Sequence, residues 1–157
     1  IYQESPDVKP DLEEQPYIIG RQLKPEARKD IIEFLQQEAI LPTSMMDVSD
    51  GLSSEILHIA KQSNLGVIVY EEKIPIAQES KEIAMKFGLD PTACALSGGE
   101  DYELLFTMKQ QDYDKIVLNE QISLIGYMAD ITEGAHILTK GGNKYKLVVQ
   151  GWNAFQQ

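Results

Sequence analysis

Apolar residues recur at Ala27, Ile31, Phe34 and Leu35, the spacing of one helical face. Pro25 suits a first helical turn, where a missing N–H costs nothing. That helix is expected to end before Pro42, because a proline disfavours helical geometry in the residue ahead of it. A second helix is predicted after Asp50, with Leu52, Ile56, Ile59 and Ala60 as its buried stripe and residues 64–66 as its end. Val67, Ile68, Val69 and Tyr70 are β-branched or aromatic and read as a buried strand, which Pro75 closes. Residues 80–87 predict a short helix stopped by Gly88. Residues 104–108 read as a strand entered through a Gly98-Gly99 turn, 112–118 as a helix and 122–125 as a strand. Residues 135–139 and 145–149 read as a hairpin across Gly141-Gly142-Asn143. Residues 1–20, broken by Pro6, Pro10 and Pro16, have little periodicity and read as a linker or extended arm. Residues 21–157 are then one α/β domain. With helices early and strands late, the expected class is α+β: a two-layer α/β sandwich with helices on one face of a mixed sheet.

Composition narrows this picture only a little. A chain of 157 residues is enough for one domain with a real core and too short for two of usual size. No apolar run approaches the roughly 18 residues that a membrane helix needs. No basic stretch followed by an apolar one marks a signal peptide at the start, so a cytoplasmic home is the default expectation. The single cysteine, Cys94, excludes an intrachain disulfide and any multi-cysteine metal site within one chain. Its neighbours Ala93, Ala95 and Leu96 lead us to expect it buried. The net charge of −11 argues against sequence-independent binding to nucleic acid, and against an anionic membrane surface. Because the first residue is Ile1 and not methionine, the chain is expected to be a piece of something longer.

The run Asp47-Val48-Ser49-Asp50-Gly51-Leu52 changes the picture most. It sets two carboxylates and a hydroxyl within four residues, at the mouth of the second predicted helix. Two readings fit. In one, Ser49 or Asp50 caps the helix and acidic side chains favour its dipole. In the other, the aspartates ligate magnesium, which takes one or two protein carboxylates and fills its other positions with water and phosphate oxygens. Ser49 and free N–H groups of the helix start would then meet phosphate, and Gly51 would let the backbone come close to a ligand.

Gly98-Gly99-Glu100-Asp101-Tyr102-Glu103 is a second acidic cluster, about fifty residues on. It reads either as a tight turn with solvated carboxylates or as a ligand site. Strand alternation would separate Glu100 from Asp101, leaving Glu100, nearest the glycine turn, as the ligand contact. Trp152 is either a packing anchor or an aromatic wall against a flat, cationic or heteroaromatic substrate. His58 and His136 lack partners at metal-ligand spacing. Arg21, Lys24 and Arg28 form a small basic group, read as a solvated helix start in preference to a phosphate contact.

The runs 44–52 and 95–107 together closely resemble the C-terminal half of thiamine-monophosphate kinase, and Gly151-Trp152-Asn153-Ala154-Phe155 resembles the end of that enzyme. The likeness covers about residues 17–155. It implies the fold of the C-terminal domain of aminoimidazole ribonucleotide synthetase, a relative in the wider family along with selenophosphate synthetase and a hydrogenase maturation protein. It further implies transfer of the γ-phosphoryl group of ATP to thiamine monophosphate, giving thiamine diphosphate and ADP. Carried over by position, Asp47 and Asp50 match magnesium ligands, Ser49 an ATP contact, and Glu100 and Trp152 substrate contacts. The family's N-terminal domain, which forms much of the ATP site and the homodimer, is absent from this sequence. The chain alone is therefore expected to be inactive. Two alternatives are another ATP-using enzyme of the family, of the cyclo-ligase or selenophosphate synthetase type, and a non-catalytic binding domain. The Gly-Gly-Glu-Asp-Tyr-Glu-Leu run and the Trp152 ending argue against the first.

Overall fold

A computed structural model describes residues 16–148. The chain runs α1 (Pro16–Leu23), α2 (Lys29–Gln37), β1 (Ser44–Asp47), α3 (Leu52–Ser63), β2 (Gly66–Tyr70), α4 (Gln78–Lys86), α5 (Pro91–Ser97), β3 (Leu104–Thr107), α6 (Tyr113–Ile116), β4 (Gly126–Ala129), β5 (Ala135–Leu138) and β6 (Lys144–Lys146). The class is α+β, as expected, but the strands form two sheets. β1 and β3 make an antiparallel ribbon, and β4-β2-β5-β6 is a mixed four-stranded sheet in which only β2 and β5 run parallel. None of the described helices is long and apolar enough to cross a membrane.

Each sheet has its own core. On the mixed sheet, Val67 and Val69 of β2 lie beside Ile137 of β5 and meet Ile56 and Ala60 of α3. On the ribbon, Met45, Leu104 and Phe106 pack against Ile31 and Leu35 of α2 and Ile116 of α6. Burying an aliphatic side chain of this size stabilises by about 1.5–3 kcal/mol, so these contacts hold α2, α3 and α6 on their sheets.

Local chemistry explains most of the boundaries. α3 ends at Asn64, which adopts the left-handed conformation at φ 54°. α4 stops at Gly88, also left-handed at φ 68°, where the Leu89 N–H reaches back to the Ala84 carbonyl. α2 has ended by Ala39, well before Pro42, as expected, but it begins only at Lys29, so Pro25 does not occupy its first turn and Ala27 is not on its face. The hairpin forms as expected, with the Thr139 N–H donating to the Asn143 carbonyl across its turn.

Five further points differ from the expectations. Residues 16–20, expected as part of an extended arm, belong to α1. The expected strand at 122–125 lies four residues later, as β4, where Val67 and Ile68 supply a ladder partner in Met128 and Tyr127. β1 was too short to show alternation and exists through its pairing with β3. α5 had a legible start that the periodicity missed: Asp90 accepts the Ala93 N–H at 2.7 Å and Pro91 takes the first turn. Cys94 on α5 is exposed, not buried, because α5 presents that face to solvent.

Candidate functional site

The two acidic motifs form one structure. The ribbon pairs Asp47 with Leu104, and its ladder continues past both strands. The Val48 N–H donates to the Glu103 carbonyl at 2.9 Å, Tyr102 donates to the Val48 carbonyl at 2.9 Å, and Glu100 donates to the Ser49 carbonyl at 2.8 Å. Gly99 allows this approach, since a Cβ there would collide with the Ser49 carbonyl oxygen. Gly51 is needed for two reasons. Its φ is 105°, and a Cβ would lie 3.0 Å from the Leu96 carbonyl oxygen at the end of α5.

The capping reading of Ser49 and Asp50 does not hold. Gly51 is the residue that precedes α3, and no side chain caps it. Asp47 and Asp50 are exposed, and Ser49 is half-buried. Among the described residues none of the three side chains has a hydrogen-bond partner. Their oxygens remain available to a ligand. Nor do three His, Cys, Asp or Glu side chains converge among the described residues. Two carboxylates are nonetheless a hard-oxygen donor set that fits magnesium when phosphate and water complete the shell.

The second loop also departs from the strand alternation expected of it. Glu100 and Tyr102 both have positive φ, at 67° and 52°, so β3 begins only at Leu104. Such conformations carry strain for non-glycine residues and occur disproportionately at binding sites. Glu100 is exposed, and its carboxylate accepts from the Gln22 amide of α1. Glu103 has a different role from Glu100: it pairs with both Arg21 and Arg28. Arg28 also binds Asp30, with its nitrogen and carboxylate oxygen 2.9 Å apart. These pairings hold the guanidinium above its ordinary pKa, Asp30 contributing most, and hold the Asp30 carboxyl below its own. Partial desolvation within the loop raises the Asp101 carboxyl, against the pull of Arg21. Arg21 and Arg28 of the basic group thus clasp the second acidic loop through Glu103. A cleft of about 1500 Å³ opens beside it, bordered by Arg21, Gln22, Glu100 and Asp101.

Sequence reasoning missed Glu55. It is 2% exposed, on the first turn of α3, and its Oε1 accepts the Asp50 N–H at 2.9 Å. The signal was present: Glu55 follows Leu52 by three and precedes Ile59 by four, so it lies on the apolar stripe itself. Trp152 lies outside the described residues.

An α+β domain whose two acidic loops are stitched together at a helix mouth belongs to a recognisable class. The chain belongs to the family described as AIR synthase related protein, C-terminal domain, whose model matches residues 11–118. It is 33% identical over 138 residues to the thiamine-monophosphate kinase of Aquifex aeolicus (strain VF5), covering 88% of this chain and 41% of that protein. It is 36% identical over 105 residues to the thiamine-monophosphate kinase of Escherichia coli (strain K12), covering 64% of this chain and 29% of that one. Among solved structures it resembles AaThiL complexed with AMPPCP and TMP, with a TM-score of 0.71 and 30% identity over 95% of this chain and 44% of that one. The hydrogenase maturation protein HypE of E. coli shares the fold, with a TM-score of 0.63 at 16% identity. The chain therefore spans less than half the length of the curated relatives it matches.

Proposed function

We propose that this chain is the C-terminal part of a thiamine-monophosphate kinase, which phosphorylates thiamine monophosphate to thiamine diphosphate at the expense of ATP. One observation carries the reading. The Glu100 N–H bond to Ser49 puts the Glu100 loop beside the Asp47–Asp50 segment, whose side-chain oxygens have no partner among the described residues. In this reading Asp47 and Asp50 hold magnesium, Ser49 contacts ATP, and Glu100 with Trp152 binds the substrate. Phosphoryl transfer relies on positioning and charge neutralisation, so a set of oxygen ligands without a covalent nucleophile suits it. Magnesium, when bound, neutralises the phosphate oxygens that approach one another. The chain's own part is to present one carboxylate from the end of β1 and one from the turn that follows it, and to set Glu100 where a cationic thiazolium or an aminopyrimidine would meet a negative charge.

The site as it stands is one wall. Two carboxylates do not make a complete metal shell, and the chain spans less than half the length of the relatives it matches. The isolated chain is therefore expected not to turn over, and the complete enzyme is expected to be a cytoplasmic homodimer. Magnesium-dependent binding of thiamine monophosphate to the complete protein tests the assignment. Loss of binding in Asp50→Ala and Glu100→Ala is expected. Unchanged affinity in both variants would favour a non-catalytic domain, and turnover by the isolated chain near that of the complete enzyme would refute the half-site reading.

A further inference from the structure

We propose that Glu55 is a positioning residue, whose buried carboxylate fixes the backbone from which Ser49 and Asp50 project. The inference rests on the reading that this segment holds a divalent cation.

A carboxylate that is 2% exposed is costly to bury, and among the described residues no cation pairs with it. Its placement compensates in part. It lies on the first turn of α3, where the helix dipole favours negative charge. Its Oε1 accepts the Asp50 N–H at 2.9 Å. This is not a capping box, because the bond reaches the residue before the N-cap and spans five positions. Its effect is on the turn. The Asp50 N–H is held from inside, the Glu100 N–H holds the neighbouring Ser49 carbonyl from outside, and the Ser54 and Glu55 N–H groups close onto the Gly51 carbonyl. The Ser53 hydroxyl ties the same turn to the Leu96 carbonyl at 2.7 Å. With its backbone held on both sides, the turn directs the Asp50 side chain outward. An apolar residue of similar volume at position 55 would suit the surrounding core at least as well, so packing does not explain the carboxylate.

Amide exchange and manganese broadening in the assigned NMR spectrum of the complete enzyme test the proposal. Glu55→Met removes the acceptor and keeps the volume; Glu55→Gln keeps an acceptor. Expected for Glu55→Met is amide exchange at Asp50 and Gly51 at least tenfold faster than wild type, with Val67 and Val69 unchanged. Manganese broadening at residues 47–51 should need at least fivefold more metal. Glu55→Gln should stay within threefold of wild type on both readouts. Wild-type exchange or wild-type broadening in Glu55→Met overturns the proposal alone. Absence of broadening in the wild type, or its persistence in Asp50→Asn, overturns the metal reading and the positioning role with it. A merely structural role predicts a lower melting temperature in Glu55→Met with undiminished broadening, the opposite of what is expected.

Discussion

The Glu100 N–H donates to the Ser49 carbonyl oxygen at 2.8 Å, joining two loops that lie about fifty residues apart in the chain. The bond is a backbone contact, so neither side chain is used in making it. Among the described residues the Ser49 hydroxyl has no partner and the Glu100 carboxylate accepts from the Gln22 amide, while the spacing of the two residues is set by the main chain.

Gly99 should be intolerant of a side chain. Its Cβ would collide with the Ser49 carbonyl oxygen, which is backbone and cannot rotate away. Gly99→Ala is expected to destabilise by about 1–3 kcal/mol, the usual cost of a forced backbone shift. Urea unfolding measures this, and a loss below about 0.5 kcal/mol would show that the two loops separate easily.

Glu103→Gln should test the clasp. Arg21 and Glu103 are 38% and 39% exposed, so their pair is screened, whereas Arg28 is 19% exposed and contributes more. We expect a loss of about 1 kcal/mol. The loss should shrink as salt approaches about 1 M. A loss independent of salt would assign the effect to hydrogen-bond geometry and not to charge.

Acid should weaken the fold in a defined window. Asp30, bonded by Arg28, and Asp130, bonded by the Thr132 hydroxyl and N–H, both have pKa values below the ordinary 3.8. In that window the unfolded chain binds more protons than the folded one. Their contribution is therefore complete above 3.8 and lost as pH falls through the depressed values. Melting temperature should drop as pH falls below about 4, and less steeply in the Asp30→Asn, Asp130→Asn double variant. An equally steep drop in the double variant counts against this cause.

In the complete enzyme, Asp50→Asn and Glu100→Gln should separate. Asp50→Asn should raise the magnesium requirement and cut kcat by about 100-fold, the scale of losing a metal ligand or its support. Glu100→Gln should mainly raise KM for thiamine monophosphate, by about tenfold, as expected on weakening one charged contact. Steady-state kinetics at several magnesium concentrations distinguishes the two effects, and identical profiles would contradict separate roles.

The sequence by itself determined the parts governed by local chemistry. The α2 and α3 stripes, the β-branched strand at 67–70, the Gly88 stop and the closing hairpin all follow from periodicity and turn chemistry between near neighbours. So did the candidate carboxylates, through residue types that suit a hard cation and through the motifs' likeness to a family. Tertiary structure decided what depended on distant partners. Ser44–Asp47 became a strand because Leu104–Thr107 supplied a ladder. Arg21 and Arg28 became a clasp because Glu103 lies between them. Ser49 and Asp50 lost their capping role because Gly51 and a buried Glu55 fix the turn instead. Each of these outcomes turns on hydrogen bonds or ion pairs between residues far apart in the chain, or on a burial cost that appears only once the chain has closed around a charge.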